Sequence, residues 1–315
     1  MRRSWLGVLV AVSVAAGTWV SLRAPASTSA KPIVAVPPSA SPLPPPASAA
    51  PEEPPAPTIA DEPKADRPWP RLDEQASISK AWRIADGPHR KPGEHRKFVT
   101  LTFDDGPFPE TTPRVLDLLA KHEIHATFFV IGRYLDGDGD RAVASREVLK
   151  KTADAGHLIG NHTHDHSLLT NVSHTQVLDQ IDRGASSIER VIGHKPLLIR
   201  PPYGQLDEFG QDAVRERGLD IILWNAEAQD MEREDTYTMY TELVHQLAVK
   251  DGGVVLLHDI RWSSIRILER LLDYLRAKRW DPAHPNRDGY VVVDLPTYLR
   301  EIEANPPREK RRAKR

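Results

Sequence analysis

The chain has 315 residues, a net charge of −2 at pH 7 and no cysteine. The absence of cysteine excludes disulfide bonds, thiolate metal sites, thiol nucleophiles and a lipidated cysteine anchor. Both chain ends are net basic, with Arg2 and Arg3 at one end and six basic residues against one acid from Arg308 to Arg315 at the other. The rest of the chain is therefore net acidic, which argues against nucleic-acid binding through a broad basic face.

Residues 1–30 have the layout of an export signal. Arg2 and Arg3 precede an apolar run from Trp5 to Leu22, and small residues follow that run. This order of a basic start, an apolar middle and a small-residue exit is typical of a secretory signal peptide. The run is also long enough for a membrane anchor, since about 17–25 apolar residues can cross a bilayer. We expect an exported protein that is periplasmic, cell-envelope or secreted, with an inner-membrane tether as the alternative to cleavage.

The next segment, residues 31–95, is rich in proline and alanine. Fourteen of the 28 prolines lie between Lys31 and Pro70, so this stretch cannot hold a packed core. Such a composition predicts a disordered, extended linker. The basic tail, residues 304–315, is too short to define a fold, and we expect a solvated terminus or a contact with anionic envelope polymers. The folded domain is therefore predicted over residues 96–303.

Within that domain, short β-branched or aromatic runs alternate with amphipathic stretches. Strands are predicted near residues 98–103, 126–131, 157–161, 197–200, 220–224, 253–257 and 290–293. Helices are predicted over residues 112–122, 146–155, 173–191, 206–217, 239–249 and 263–278. This alternation indicates an α/β domain with a mainly parallel sheet. Seven strands favour a small (β/α) barrel over an open sheet.

Polar clusters follow five of the predicted strands directly or within a few residues. In a barrel of this kind, active sites assemble at the carboxyl ends of the strands. The common placement therefore indicates one site more strongly than any single cluster does. The clusters are Asp104-Asp105-Gly106-Pro107, His162-Thr163-His164-Asp165-His166, Arg200-Pro201-Pro202-Tyr203-Gly204, Asp230 and His258-Asp259.

The histidine cluster suggests a metal site. His162 and His166 are four residues apart, so one helical turn would place both imidazoles on one face, with His164 pointing elsewhere. Two histidines and one aspartate form a three-ligand set that leaves a position open for water, which is the catalytic arrangement. The second aspartate of the Asp104–Asp105 pair would then take the proton of that water. The residues alone do not choose between the two aspartates.

The other clusters complete a hydrolytic site. His258 is a candidate acid for the leaving group, because imidazole titrates near neutral pH. Asp230 could orient His258, and the permanently charged Arg200 could hold a carboxylate in place. Together these residues predict metal-assisted hydrolysis of an acyl bond.

The motifs resemble those of the polysaccharide deacetylases, which are also called carbohydrate esterase family 4 or the NodB-homology domain. The resemblance covers about residues 97–300. The matching signatures are Thr102-Phe-Asp-Asp-Gly-Pro107, His162-Thr-His-Asp-His166, Arg200-Pro-Pro-Tyr-Gly204 and Leu256-Leu-His-Asp259.

This resemblance implies a distorted (β/α) barrel and removal of acetyl groups from acetylated sugars. It implies Asp104 as general base, positioned by Arg200, and His258 as general acid. The backbone N–H of Tyr203 would help to bind the oxyanion, and Leu256 would line the pocket for the acetyl methyl group. The implied metal is usually zinc, with cobalt or nickel able to serve. Its implied ligands are Asp105, His162 and His166.

One motif and one loop depart from the family pattern. The family often has Asp-x-x-Asp-Trp where this chain has Glu227-Ala-Gln-Asp-Met231. Asp230 still matches the acid expected to tune His258, whereas Met231 alters an apolar wall of the groove. The acidic segment 136–140 is interpreted as a solvated loop at one side of the cleft. Among the tryptophans, Trp262 is the preferred candidate for sugar contact, while Trp224 and Trp280 could serve the core.

The sequence thus predicts a metal-dependent hydrolase that removes acetyl groups from N-acetylglucosamine in a cell-envelope polysaccharide, with peptidoglycan as the first choice. Export and a long spacer suit work at the cell wall. Chitin oligomers, another exported glucosamine polymer and acetylxylan are alternative substrates. A non-catalytic carbohydrate-binding relative would need a lost base or ligand, and none is missing from the motifs. A phosphoesterase would need several basic donors or two metals, and the motifs offer only Arg200.

Overall fold

The computed structural model of the chain describes residues 93–304. The expected export segment, nearly all of the expected linker and the basic tail beyond residue 304 lie outside the described residues. Among the helices of the described range, none is both long and apolar enough to cross a bilayer.

The described range contains eight strands and seven α-helices, which alternate along the chain as predicted except that the strands Asp220–Ile221 and Ala226–Glu227 have no helix between them. The strands are β1 Arg96–Asp104, β2 Thr127–Val130, β3 Leu158–Asn161, β4 Leu198–Ile199, β5 Asp220–Ile221, β6 Ala226–Glu227, β7 Gly253–His258 and β8 Gly289–Val292. The helices are α1 Thr112–Lys121, α2 Asp140–Asp154, α3 His174–Ile192, α4 Glu208–Glu216, α5 Thr236–Val249, α6 Trp262–Ala277 and α7 Leu295–Ala304.

The strands form one parallel sheet that curls into a partial barrel. Its order is β5-β4-β3-β2-β1-β7-β6, and β8 pairs with the first half of β1. The long β1 is therefore the centre of the sheet, paired with β2 and β7 over its second half. The predicted distorted (β/α) barrel is confirmed.

Two details of the predicted elements are wrong. The strand expected over residues 220–224 stops at Ile221, and a separate strand β6 pairs with β7 on the far side of the sheet. The backbone oxygens of Ile222 and Leu223 accept hydrogen bonds from the buried side chain of Arg200, which helps to explain why the strand ends there. Helix α2 also begins at Asp140, so the expected acidic loop shortens to residues 136–139.

Strand alternation divides the core into two sides of the sheet. Val99, Leu101 and Phe103 of β1 belong to a cluster shared with α1, α5 and α6. Phe98 belongs to an inner cluster with residues from β2, β4 and β7, so the inner face of β1 continues through Thr100, Thr102 and Asp104. Both threonines are fully buried, and Asp104 ends this face at the carboxyl end of β1.

Helix α7, which the sequence did not predict, packs into the inner cluster. Its Leu295, Tyr298 and Leu299 contact a cluster that contains Phe98 and Val254, both near the amino ends of their strands. The helix therefore supports the barrel at the end opposite the polar clusters. Burial raises the pKa of the Tyr298 hydroxyl, which has no hydrogen-bond partner among the described residues.

We expect Tyr298→Phe to leave the free energy of unfolding unchanged or to raise it by up to about 1 kcal/mol, because it removes an unpaired buried hydroxyl. Tyr298→Ala should lower it by about 3–5 kcal/mol through loss of the packed ring. Urea unfolding of the two variants checks both values. A loss above about 1 kcal/mol in the phenylalanine variant would show that the hydroxyl is hydrogen-bonded after all.

Candidate active site

The predicted clusters meet at the carboxyl ends of the central strands. The register of β1 pairs Asp104 with Phe129 of β2 and with His258 of β7. His162 directly follows β3, and Arg200 directly follows β4. The parallel sheet therefore brings together residues from four separate motifs.

Asp105, His162 and His166 form a compact group of possible metal ligands. One ligand atom from each lies within 4.8 Å of the others. Oδ1 of Asp105 is 3.5 Å from Nε2 of His162 and 3.4 Å from Nε2 of His166. This oxygen is buried and has no hydrogen-bond partner among the described residues. A buried carboxylate oxygen between two imidazole nitrogens fits a divalent metal ion.

A contact behind His162 selects its tautomer. Nδ1 of His162 lies 2.7 Å from the backbone oxygen of Arg200. A carbonyl oxygen only accepts, so Nδ1 carries the proton and Nε2 presents its lone pair toward Asp105. Metal-binding histidines are commonly oriented in this way.

The expected helical turn between His162 and His166 is wrong, although their rings do meet, with centroids 4.9 Å apart. The segment is a loop in which Thr163 and His166 have φ angles of 67° and 65°. Two hydrogen bonds hold it: Thr163 N donates to the Asn161 side chain, and His166 N donates to the Thr163 hydroxyl. Left-handed backbone at non-glycine residues persists where the surroundings fix it, often at functional sites.

Asp104 has a different partner from Asp105. Nη1 of Arg200 donates to Oδ1 of Asp104 at 2.7 Å and to the hydroxyl of Thr102 at 2.9 Å. Burial lowers the pKa of Arg200, and the neighbouring Asp104 carboxylate opposes that effect. Oδ2 of Asp104 lies 3.6 Å from Nε2 of His162, on the side of the ligand group.

The partly buried His258 and the buried Asp230 form a pair beside the ligand group. Nδ1 of His258 lies 2.8 Å from Oδ1 of Asp230, and its backbone N–H donates to Oδ2 at 2.8 Å. Burial by itself lowers the pKa of His258, because it disfavours the charged imidazolium. The hydrogen bond to Asp230 and the negative charges of Asp230, Asp104 and Asp105 have the opposite and larger effect. Together they raise the pKa of His258 to about 9. Nε2 of His258 is 3.9 Å from Oδ2 of Asp105.

Tyr203 and Leu256 also lie at this end of the sheet. The Tyr203 ring contacts the His166 ring with centroids 4.9 Å apart, and Tyr203 has a φ of 59°. Leu256 lies two residues before His258 on β7, so its side chain projects from the same face, and it is buried. All nine predicted site residues therefore lie together at the carboxyl end of the sheet.

Two side chains outside the predicted set support the site. Ser264 of α6 donates from its buried hydroxyl to Oδ2 of Asp230. Asp259, which is fully buried, accepts a 2.5 Å hydrogen bond from Thr112 of α1. Its carboxyl group packs on Gly106, where an added Cβ would lie 2.3 Å from Oδ2, so it supports the turn that follows Asp105. Only the fold reveals these contacts. Serine residues and pairs of acidic residues are common in loops, so neither type marks a functional contact in the sequence.

His164 does not belong to the ligand group, as predicted. Its Nε2 lies 2.9 Å from Oδ2 of Asp136, and Asp136 also accepts from Ser187 and Arg190 of α3. The acidic segment is thus fixed to the barrel by its first residue. Met231 and Trp262 are exposed, with 40% and 55% of their surface accessible, whereas Trp224 is partly buried.

Comparison with known proteins agrees with this geometry. A family model described as "Polysaccharide deacetylase" matches residues 91–222. A peptidoglycan-N-acetylglucosamine deacetylase of Bacillus cereus is 32% identical over 211 residues, which make up 65% of this chain and 90% of that protein. The chain belongs to the polysaccharide deacetylase family.

Two further members of this family illustrate its range. PdaC of Bacillus subtilis, a peptidoglycan-N-acetylmuramic acid deacetylase by name, is 34% identical over 181 residues, or 58% of this chain and 36% of PdaC. The chain therefore spans little more than a third of the length of that polysaccharide deacetylase. A solved structure of PdaC superposes with a TM-score of 0.54 at 29% identity and covers 68% of this chain and 95% of the solved one. A family pseudoenzyme from Bacillus anthracis shares the fold, with a TM-score of 0.55, 24% identity and coverage of 66% and 67%.

The His258–Asp230 pair predicts a pH-dependent stability of the metal-free deacetylase domain. The pKa of His258 rises from its ordinary 6.5 to about 9 in the folded protein. Its contribution to the free energy of unfolding is therefore complete below pH 6.5 and is lost as the pH rises through 9. We expect the free-energy difference between wild type and His258→Gln to shrink by up to about 3 kcal/mol over this window.

Urea unfolding in the presence of chelator, between about pH 6 and pH 10, measures this difference. His284→Gln is the matched control, because it removes an exposed contact with Asp281 and should show no comparable dependence. A constant difference between wild type and His258→Gln across the window would contradict the pairing.

Proposed function

We propose that this protein hydrolyses the amide bond of N-acetylglucosamine in peptidoglycan and releases acetate. The observation that carries the proposal is the largely buried Asp105–His162–His166 group, with Asp104 near His162 and His258 near Asp105. Because these three groups have different partners, Asp104 would serve as the base, Asp105 as a metal ligand and His258 as the acid of one site.

We assign the ligand group to one divalent metal ion, with zinc first and cobalt or nickel as substitutes. Three nitrogen and oxygen donors with an open position suit catalytic zinc. Zinc bound there would lower the pKa of water and polarise the acetyl carbonyl group. Asp105, His162 and His166 would hold it, and the proton on Nδ1 of His162 leaves Nε2 available for this purpose.

The remaining residues would move protons and bind the acetyl group. Arg200 holds Oδ1 of Asp104, so Oδ2 is oriented to accept a proton from the attacking water. The hydrogen bond and charge of Asp230 raise the pKa of His258 and so favour its protonated form, which would donate a proton to the departing amine. The backbone N–H of Tyr203 would donate to the developing oxyanion, and Leu256 would contact the acetyl methyl group.

The names of relatives support peptidoglycan as the substrate. The Bacillus cereus relative, of which this chain covers 90%, is named for N-acetylglucosamine. PdaC and PdaA of Bacillus subtilis are named for N-acetylmuramic acid, which makes that sugar the second candidate. Both sugars carry the same acetamide group, so the chemistry assigned to Asp104 and His258 serves either one.

The pseudoenzyme neighbour raises the alternative of a non-catalytic binding protein. In this chain the base, the three ligand residues and the acid are all present and buried or partly buried around the cleft. Arg200 and Asp230 also make the contacts that orient Asp104 and His258. This completeness supports an enzyme.

The test is acetate release by the full chain, with zinc and with chelator, from a panel of glycans. The panel contains peptidoglycan, chitin oligomers, acetylxylan and peptidoglycan whose glucosamine is already deacetylated. We expect chelator-sensitive release from intact peptidoglycan and little from the pretreated sample. Release that persists after pretreatment would favour N-acetylmuramic acid. No release from any substrate by zinc-loaded protein would refute the proposed activity.

Single variants test the roles. Asp104→Asn should lower turnover by at least about 10³-fold while zinc stays bound, because it removes only the base. His162→Ala should lose both zinc and activity, since it removes a ligand. Zinc content by elemental analysis and acetate release are measured together, with the exposed Asp117→Asn as the matched control. Normal zinc content in His162→Ala would overturn the ligand assignment.

We also propose that the protein is exported and works at the cell envelope. The support is the order of Arg2, Arg3, the apolar run and the proline-rich segment in the sequence. Residues 1–30 fused to alkaline phosphatase, which is active only after export, should give active enzyme. Replacing Leu9 and Val12 by Asp should abolish that activity; an inactive wild-type fusion would refute export by this segment.

A further inference from the structure

The indole ring of Trp224 packs against two parts of the proposed catalytic machinery. Its centroid lies 5.4 Å from Cζ of Arg200, the residue that holds Asp104. The outer edge of the ring lies against Gly204, where an added Cβ would be 3.1 Å and 3.3 Å from two ring carbons. Gly204 directly follows Tyr203, so one side chain contacts both the base-holding arginine and the oxyanion turn.

The ring is itself held by Glu227. Nε1 of Trp224 donates to Oε2 of Glu227 at 2.8 Å. The backbone of Glu227 is fixed in turn by Gln246 of α5: its N–H donates to Oε1 at 3.1 Å, and its carbonyl oxygen accepts from Nε2 at 2.9 Å. An unbroken series of contacts therefore runs from helix α5 to the turn at Tyr203.

The turn needs such support. Tyr203 and Gly204 have φ angles of 59° and 67°, and the left-handed region is unfavourable for tyrosine. Conformations of this kind persist only where the surroundings enforce them. An oxyanion donor is effective only when it is fixed before the reaction, and a shift of about 1 Å can cost about 10²-fold in rate.

We propose that Trp224 and Glu227 are a pair of positioning residues for the hydrolytic reaction. Trp224 would fix the Tyr203–Gly204 turn and Arg200, and Glu227 would fix Trp224. The inference rests on the proposed function. It also assigns a role to Glu227, which stands where the family often has the shorter aspartate. Neither residue needs to touch the substrate, so both should act on turnover rather than on binding.

The experiment compares four variants of the full chain. Trp224→Phe keeps an aromatic ring but removes the indole N–H and the outer ring edge. Glu227→Met removes the acceptor at nearly constant length, whereas Glu227→Gln keeps an oxygen that can accept from the indole. Trp280→Phe is the matched control, because Trp280 packs near Arg96 at the start of β1.

We expect Trp224→Phe and Glu227→Met to lower kcat about 10- to 100-fold with KM within about threefold of wild type. Glu227→Gln and Trp280→Phe should stay within about threefold in both constants. Hydrogen–deuterium exchange, measured by mass spectrometry over residues 199–206, should speed up in the two impaired variants and not in the two controls. Zinc content should be the same in all four.

Two results would refute the assignment of Trp224 and Glu227 as positioning residues. The first is that Glu227→Met and Glu227→Gln have equal kcat and equal exchange rates. The second is that Trp224→Phe raises KM and leaves kcat unchanged. The exchange measurement needs no substrate, so it tests whether Trp224 fixes the Tyr203–Gly204 turn even if wild type releases no acetate. Absence of acetate release would refute the proposed function. Unchanged exchange in active protein would refute only the positioning role of Trp224 and Glu227.

Discussion

The buried ion pair between Arg200 and Asp104 organises much of this structure. Arg200 is inaccessible to solvent, and its donors bind Asp104, Thr102 and the backbone oxygens of the segment after β5. Removing a guanidinium from water is costly, and a buried pair seldom stabilises a fold more than apolar residues would. Its retention is better explained by the geometry that it imposes on Asp104. The same hydrogen bonds occupy the carbonyl groups that a longer β5 would use.

The pair also distinguishes two adjacent carboxylates that are identical in chemistry. Asp104 continues the inner face of β1 toward a permanent cation, whereas Asp105 has a φ of 74° and turns toward the imidazoles of His162 and His166. Neighbouring groups with different partners can take different roles in one reaction. The sequence alone left this choice open, because the direction of each side chain depends on a backbone turn and on partners that are distant in the chain.

Most of the fold and the position of the site follow from the sequence, since parallel strands carry their carboxyl ends to one edge and the motifs sit at those ends. What the sequence did not predict depends on contacts between distant elements. Ser264 and Thr112 act through hydroxyl groups that become meaningful only beside Asp230 and Asp259. The meeting of His162 and His166 was predicted for the wrong reason, because side-chain hydrogen bonds stabilise a loop where spacing suggested a helical turn.

The short segment from Trp224 to Met231 connects both sides of the cleft. β6 pairs Glu227 with Leu256, and Gln229, with a φ of 54°, turns the chain so that Asp230 reaches the backbone and ring of His258. Trp224 and Glu227 lie on the side of Arg200. Met231 is exposed and belongs to neither set of contacts. The side chains that support Asp104 and His258 are thus buried or partly buried, whereas the departure at Met231 is exposed.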